Sequence, residues 1–141
     1  MILIDTNVIS ELWKLAPDSN VLAWIDAQAI ETLHLSVLTV AELRYGLATM
    51  PEGKRRTIYQ QRLEDDVLPN FAGRVLAFDL DTSKTYAELM ARARAGGKAI
   101  AKADGYIAAT AAAHGLIVAT RDTSPFEVGG LQVIDPWEAL P

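Results

Sequence analysis

The chain has 141 residues, half of them hydrophobic and 22% charged, which suits a single soluble domain with its own core. It has no cysteine, which excludes a disulfide framework and a thiolate zinc site, and its two histidines argue against a histidine-rich metal site. The formal net charge of −5 argues against a protein that coats nucleic acid, but not against an enzyme that holds phosphates through a metal ion. No apolar run approaches the roughly 20 residues of a membrane span, and the start lacks the basic segment of a signal peptide. We therefore expect one cytoplasmic domain over residues 1–141.

Short apolar segments spread along the chain have the composition of buried strands. The first, residues 1–4, is apolar on both faces and too short for a helix, and it leads directly into Asp5. Residues 33–37 alternate apolar and polar side chains, as a half-exposed strand does. Further strands are predicted over residues 74–78, 116–119 and 131–134.

Segments with helical spacing separate these strands. In the charged helix over 54–66 we expect Ile58 and Leu63 to face inward and Pro69 to end the helix. Strands that alternate with helices indicate a parallel α/β sheet with helices on both faces. The predicted helices cover residues 8–13, 18–25, 39–47, 54–66, 83–95 and 99–113.

Four carboxylates lie at junctions between the predicted strands and helices. Asp5 and Asp122 each follow a buried strand, whereas Glu42 and Asp104 lie near the starts of helices. In a parallel sheet, the carboxyl ends of the strands and the starts of the following helices lie along one edge. All four acids can therefore meet in one cleft.

Each of these acids also has a purely structural explanation. Asp5 suits the N-cap of the following helix, and residues 39–42 (Thr-Val-Ala-Glu) fit a capping box in which Glu42 returns to the cap amide. Asp104 would be favoured by the helix dipole, and Asp122 would suit a turn. None of these explanations accounts for four acids at the same edge of one sheet.

A shared metal ion does account for that arrangement. Crowded carboxylates repel one another and raise each other's pKa unless a cation neutralises them, and Mg²⁺ or Mn²⁺ favours oxygen ligands. Such an ion can activate a water and stabilise a leaving oxygen. Thr6, Asn7 and Thr120 are suited to hold the carboxylates or waters in place. The pattern predicts metal-assisted hydrolysis of phosphodiester bonds.

Four segments, taken in order, resemble those of a PIN domain of the kind found in the VapC and FitB toxins of bacterial toxin–antitoxin pairs. They are the apolar start that ends in Asp5-Thr6-Asn7, residues 39–46, residues 103–109 and residues 119–122. The resemblance extends through Trp137. It implies a three-layer α/β/α fold with a central, mostly parallel sheet of four to five strands.

The resemblance also implies an activity and its partners. It makes Asp5, Glu42 and Asp104 the core acidic triad, with Asp122 in a fourth acidic position. The implied activity is that of a Mg²⁺- or Mn²⁺-dependent endoribonuclease that cuts tRNA or other structured RNA. The implied partners are a second copy of the chain and a VapB/FitA-like antitoxin, whose tail blocks the site, often with an arginine. Operator DNA would be contacted only through that antitoxin.

Two other interpretations compete with this one. Asp79-Leu80-Asp81 after a strand resembles the nucleophile motif of haloacid-dehalogenase-type phosphatases, but Ser83 stands where that family prefers Thr or Val. We expect Asp79 and Asp81 to cap the following helix instead. The second alternative is a catalytically silent PIN-like scaffold, and the presence of all four acids argues against it. Pro125 stands where relatives commonly carry a fifth acid.

Basic side chains form two clusters that could contact RNA. The cluster within residues 54–62 is more typical of a solvated helix face. The second leads directly to Asp104, and phosphate contacts supply most sequence-independent affinity for nucleic acid. We assign no catalytic role to His34 or His114. The predicted RNA rim consists of Arg92, Arg94, Lys98 and Lys102.

Overall fold

A computed structural model describes residues 1–138, in which five strands form one sheet. They are β1 (Ile2–Ile4), β2 (Leu33–Ser36), β3 (Val75–Leu76), β4 (Ile117–Ala119) and β5 (Val133–Ile134). Their order is β3-β2-β1-β4-β5, and every neighbouring pair is parallel. The central strand β1 is therefore bonded on both sides, which suits its wholly apolar sequence.

Helices connect the strands and flank the sheet. A 3₁₀ turn over Ile30–Thr32 leads into β2, and a π-helical stretch over Arg62–Val67 interrupts one connection. Within residues 1–138 no helix is long and apolar enough to cross a membrane. The α-helices are α1 (Thr6–Leu12), α2 (Ser19–Asp26), α3 (Val37–Ala48), α4 (Lys54–Gln61), α5 (Leu68–Asn70), α6 (Leu80–Ala95), α7 (Lys102–Ala113) and α8 (Ser124–Val128).

The sheet divides the core into two layers. Successive side chains of a strand point to opposite faces, so Ile2 and Ile4 pack on one face with apolar residues of α1, α2 and α3, such as Leu43. Leu3 packs on the other face with residues of α6 and α7, such as Ile107. The predicted three-layer α/β/α architecture with a parallel sheet is confirmed.

The start of α3 differs from the prediction. The helix begins at Val37, and its N-cap is Ser36, whose hydroxyl accepts a hydrogen bond from the Leu38 amide at 3.0 Å. Thr39 lies inside the helix and is fully buried. The predicted capping box is therefore wrong. Glu42 lies in the second turn of α3, so a capping role does not explain the presence of an acid at this position.

The charged connection after α3 also differs from the prediction. The helical path continues through the π-helical stretch and Pro69 to Asn70 instead of ending at Pro69. Leu63 is buried as expected, but Ile58 is 43% exposed. The two residues are five positions apart, which in a regular α-helix places them about 140° apart around the axis, so they do not share one inward face.

The ends of other elements differ by a few residues. Helix α6 begins at Leu80, three residues earlier than predicted, and its N-cap is Asp79, which accepts a hydrogen bond from the Thr82 amide at 2.9 Å. The capping role of Asp79 is confirmed, whereas Asp81 lies in the first turn instead of at the cap. Helix α7 begins at Lys102, and α8, with Pro125 in its first turn, was not predicted.

Candidate active site

One cleft at the carboxyl edge of the sheet is lined by all four predicted carboxylates, and its volume is about 440 Å³. Asp5 directly follows β1, and Asp122 lies in the loop after β4. Glu42 lies on the second turn of α3, and Asp104 on the first turn of α7. The parallel topology thus brings together acids that are up to 117 positions apart in the sequence.

Asp5 is held rigidly at the floor of this cleft. Its side chain is 6% exposed, and its two oxygens accept hydrogen bonds from the Thr6 amide and the Thr120 hydroxyl, both at 2.8 Å. Its own amide donates to the carbonyl of Ala119 at 2.9 Å. Asp5 therefore caps α1 and also lines the cleft, so its structural explanation is confirmed, and its role as a metal ligand stays a prediction.

Thr120 connects three of the segments that form the cleft. Besides donating to Asp5, its hydroxyl accepts hydrogen bonds from the Asn7 side-chain amide at 3.2 Å and from the Asp122 backbone amide at 3.1 Å. The Asn7 carbonyl oxygen in turn accepts from the Arg121 amide at 3.3 Å. Asn7 and Thr120 therefore fix the loop that carries Asp122 against the start of α1.

Thr6 performs a similar role for Glu42. Its hydroxyl lies 3.1 Å from Oε1 of Glu42 and 3.2 Å from the hydroxyl of Thr39. Because a carboxylate only accepts, Thr6 donates to Glu42 and accepts from Thr39. Thr39 was not predicted as a site residue. Its position about one helical turn before Glu42 was the feature of the sequence that could have identified it.

The electrostatics of the cleft favour a cation. Burial raises the pKa of Asp5 to about 6, against the lowering effect of its hydrogen bonds from Thr120 and Thr6, and the negative charges of Glu42 and Asp104 raise it further. The pKa of Asp104 is also raised, by burial and then by the charge of Asp122. Such carboxylates return to their charged form when a cation neutralises them.

The donor set fits a hydrated divalent ion. Within residues 1–138 no three acidic or histidine side chains stand close enough to enclose a metal by themselves. Mg²⁺ typically keeps several waters and uses only one or two carboxylates. Glu42 and Asp122 are exposed and Asp104 is partly exposed, so their oxygens face the open cleft, where such an ion can keep its waters.

Two basic side chains that were not predicted from the sequence also line the cleft, Lys14 and Arg121. The Lys14 ammonium lies 2.7 Å from Oε1 of Glu11, a carboxylate that is only 5% exposed. The Arg121 guanidinium lies over the ring of Trp137, 5.2 Å from its centre. In the sequence, the spacing of Glu11 and Lys14, three residues apart, was the one indication that this lysine is held in an ion pair.

The predicted RNA rim occupies other surfaces. None of its four cations is among the residues that line the acidic cleft. Lys102 lines an adjoining depression together with Glu42, and Arg94 lines a cavity at the far end of α6. Binding of RNA at this rim stays a prediction. Neither His34 nor His114 is among the residues that line the cleft.

A second groove, of about 280 Å³, joins the acidic cleft. The two share four lining residues, among them Thr6, Lys14 and Glu42. In this groove Trp13 and Tyr59 stack with their ring centres 6.0 Å apart. The apolar part of its lining consists of Trp13, Leu43, Leu47, Met50 and Tyr59.

Known proteins match this chain along nearly its whole length. The family model of the PIN domain matches residues 2–131. The VapC ribonuclease Y4jK of Sinorhizobium fredii is 72% identical over 138 residues, which cover 98% of this chain and 99% of that protein. The toxin FitB of Neisseria gonorrhoeae is 50% identical over 137 residues, 97% of this chain and 99% of FitB.

The fold of the whole chain is also found in a solved structure. A chain in the structure of FitAB bound to a DNA fragment superposes with a TM-score of 0.97 at 46% sequence identity. The superposition covers 100% of this chain and 99% of the other. The similarity therefore includes the elements that carry all four carboxylates.

Proposed function

The chain belongs to the PIN-domain family, and on that premise we propose that it is a metal-dependent endoribonuclease and the toxin of a toxin–antitoxin pair. The observation that carries this proposal is the cleft in which Asp5, Glu42, Asp104 and Asp122 converge. The names of its relatives, a VapC ribonuclease and the toxin FitB, agree with it. The substrate class we infer is tRNA or other structured RNA, in the cytoplasm.

In this proposal Asp5, Glu42, Asp104 and Asp122 hold Mg²⁺ or Mn²⁺, directly or through water. When bound, the ion supplies a water of lowered pKa and stabilises charge on the leaving oxygen. The protein's own contribution is orientation. Thr120 and the Thr6 amide fix both oxygens of Asp5, and the Thr6 hydroxyl fixes one oxygen of Glu42.

Glu42 is the residue that we assign to proton transfer. Its Oε1 accepts a hydrogen bond from the Thr6 hydroxyl, and within residues 1–138 no group donates a hydrogen bond to its Oε2. The side chain is exposed at the cleft. An oriented, solvated carboxylate of this kind can accept the proton of an attacking water. Asp5 is less suited to this role because both of its oxygens already accept hydrogen bonds.

We further propose that a VapB/FitA-like antitoxin, itself DNA-binding, inhibits the enzyme. The apolar groove beside the cleft is suited to an apolar segment of such a protein, and a segment bound there would lie next to the acids because the groove and the cleft share lining residues. An arginine from the segment would then meet the four carboxylates. Operator DNA would be bound only through this partner, and the similar FitAB complex has itself been solved with a DNA fragment bound.

We also propose a homodimer. Apolar side chains are exposed along one side of α3, with Val37 at 42% and Tyr45 at 71% exposure. The adjoining depression between α3 and α7 is lined by the apolar side chains of Leu38, Ala103 and Tyr106, together with Glu42 and Lys102. A contiguous apolar surface of this kind favours association with a second copy.

The experiment that tests the enzymatic proposal is cleavage of total RNA by the purified protein, with Mg²⁺, with Mn²⁺ and with EDTA. Wild-type protein and Asp26→Asn should cleave when metal is present, because Asp26 is exposed at the end of α2 and does not line the cleft. Asp5→Asn and Asp104→Asn should lose about 100-fold or more of the rate, because each removes a charged ligand of the proposed metal, whose stabilisation of charge contributes several kcal/mol.

Two results would contradict the proposal. Cleavage by Asp5→Asn at the wild-type rate would show that the acidic cleft is not the active site. No cleavage by wild-type protein with either metal would favour the catalytically silent scaffold.

A further inference from the structure

We propose that Lys14 and Arg121 bind the phosphates on either side of the cleaved bond of the RNA substrate. The inference rests on the proposed ribonuclease function and extends it to how the substrate is held. Among residues 1–138 these are the two basic side chains that line the acidic cleft.

The charge of the cleft makes such residues necessary. The chain carries a net charge of −5, and five carboxylates line the site, one of which, Glu11, is paired with Lys14. One divalent ion would offset only part of that charge, so the flanking phosphates of RNA would still be repelled. Phosphate contacts by Lys and Arg provide most of the sequence-independent affinity for nucleic acid. Cations at the mouth of the cleft are the residues in position to make them.

Lys14 is held at the junction of two surfaces. It lines both the acidic cleft and the apolar groove, and its side chain remains 60% exposed. Its ammonium contacts one oxygen of Glu11 at 2.7 Å, while the Asp18 amide donates to the other oxygen at 3.0 Å. Because Glu11 is buried, the lysine is fixed at one position and still presents donors to solvent.

Arg121 stands beside Asp122 and is exposed. Its backbone amide donates to Asn7, and its guanidinium lies over Trp137, so both its backbone and its side chain are oriented. Interactions with Lys14, with the Asp18 amide and, more weakly, with Arg121 lower the pKa of Glu11. The two cations thus lie near the same carboxylate. A guanidinium on an aromatic ring keeps its planar donors available for phosphate oxygens.

The test is the salt dependence of RNA binding, measured with fluorescein-labelled bulk tRNA. All proteins carry Asp104→Asn, so that the RNA is not cut during the titration. Lys14→Gln and Arg121→Gln should each reduce the slope of log Kobs against log salt by about 0.7 to 0.9. Affinity at 0.15 M salt should fall about fivefold for each lost contact, which follows from that slope.

Two controls separate this site from other basic surfaces. Lys84→Gln removes the same charge from an exposed position of α6 that does not line the cleft, and it should leave the slope unchanged. Lys98→Gln tests the rim predicted from the sequence. A reduced slope for Lys98→Gln, together with wild-type slopes for Lys14→Gln and Arg121→Gln, would overturn the assignment.

Further variants separate phosphate binding from a structural role. Lys14→Gln leaves the buried Glu11 without its cation and should lower the melting temperature, whereas Lys14→Arg keeps the charge and should restore the slope. Glu11→Gln keeps the cation while it removes one negative charge from the lining of the cleft, so the slope should stay near the wild-type value.

The same proteins with Asp104 restored are assayed for cleavage of total RNA with Mg²⁺. Wild-type cleavage combined with unchanged slopes for both cleft variants would refute the phosphate contacts and leave the ribonuclease proposal intact. Reduced slopes without any wild-type cleavage would refute the ribonuclease proposal while supporting the phosphate contacts.

Discussion

Replacement of Asp5 by asparagine should stabilise the metal-free protein at alkaline pH. The pKa of Asp5 is raised from 3.8 to about 6, chiefly by burial. That rise corresponds to about 3 kcal/mol of free energy. Because the folded-state pKa is the higher one, the folded protein favours the protonated acid. The associated stability is fully present below about pH 4 and is lost as the pH rises through 6.

Asparagine removes that charge at every pH, but it does not reproduce every hydrogen bond. Its oxygen can still accept from the Thr6 amide, whereas its NH₂ group must face the Thr120 hydroxyl, which donates to Asp5 in the wild type. The loss of that hydrogen bond costs about 1 kcal/mol and reduces the stability gained by removing the charge. The net gain above pH 7 is therefore about 2 kcal/mol, or about 6 °C in melting temperature for a domain of this size.

The assay is thermal unfolding in EDTA at pH 4.5 and pH 8, with Asp26→Asn as the control for an exposed acid. Asp5→Asn should melt above the wild type at pH 8, and the difference should close or reverse at pH 4.5. A variant that is less stable at pH 8, or a difference that does not depend on pH, would show that burial of Asp5 does not disfavour its charged form.

Three further predictions concern the same site and its surroundings. Mg²⁺ or Mn²⁺ at ten times its Kd should stabilise the wild type by about 1.4 kcal/mol in thermal melts, and Asp104→Asn should show a smaller effect. Thr120→Val should cost about 2 kcal/mol in chemical denaturation, because it removes the buried hydroxyl that joins Asp5 to the Asp122 loop. Asp79→Ala should cost about 1 kcal/mol through loss of the α6 cap yet leave RNA cleavage intact. A loss of cleavage would show that the N-cap of α6 also supports the active site.

The topology and the convergence of acids could be predicted from local patterns. Asp5 and Asp122 each follow a short apolar strand, and parallel pairing alone brings such positions to one edge. Glu42 was correctly predicted to lie near the start of a helix at this edge of the sheet, although the capping box proposed for it was wrong. Ser36 and Thr39 are both acceptable caps, and local sequence does not distinguish them. Helix α3 begins where β2 ends, and tertiary packing sets that point.

The missed features depend on packing between elements that are distant in sequence or on an irregular backbone. Glu11 and Lys14 have the spacing of an ordinary surface ion pair, which predicts an exposed carboxylate. In the fold Glu11 is buried and accepts a hydrogen bond from the Asp18 amide, and neither feature follows from that spacing. The π-helical stretch has no clear signature in residues 62–67. Without it, a regular helix would place Ile58 and Leu63 on nearly opposite faces, so the prediction that both face inward already exceeded what an α-helix allows.

The position of Asp5 explains how the fold tolerates a carboxylate that opposes stability. It follows β1, which is paired with β2 and β4, and its amide is bonded to Ala119 at the end of β4. An acid after the edge strand β3 or β5 would have a neighbouring strand on one side only, and the backbone could move to expose it to water. At the centre of the sheet the backbone cannot yield without breaking two strand pairs. The electrostatic strain is therefore retained in the folded protein, and the cation that we propose for the cleft would relieve it.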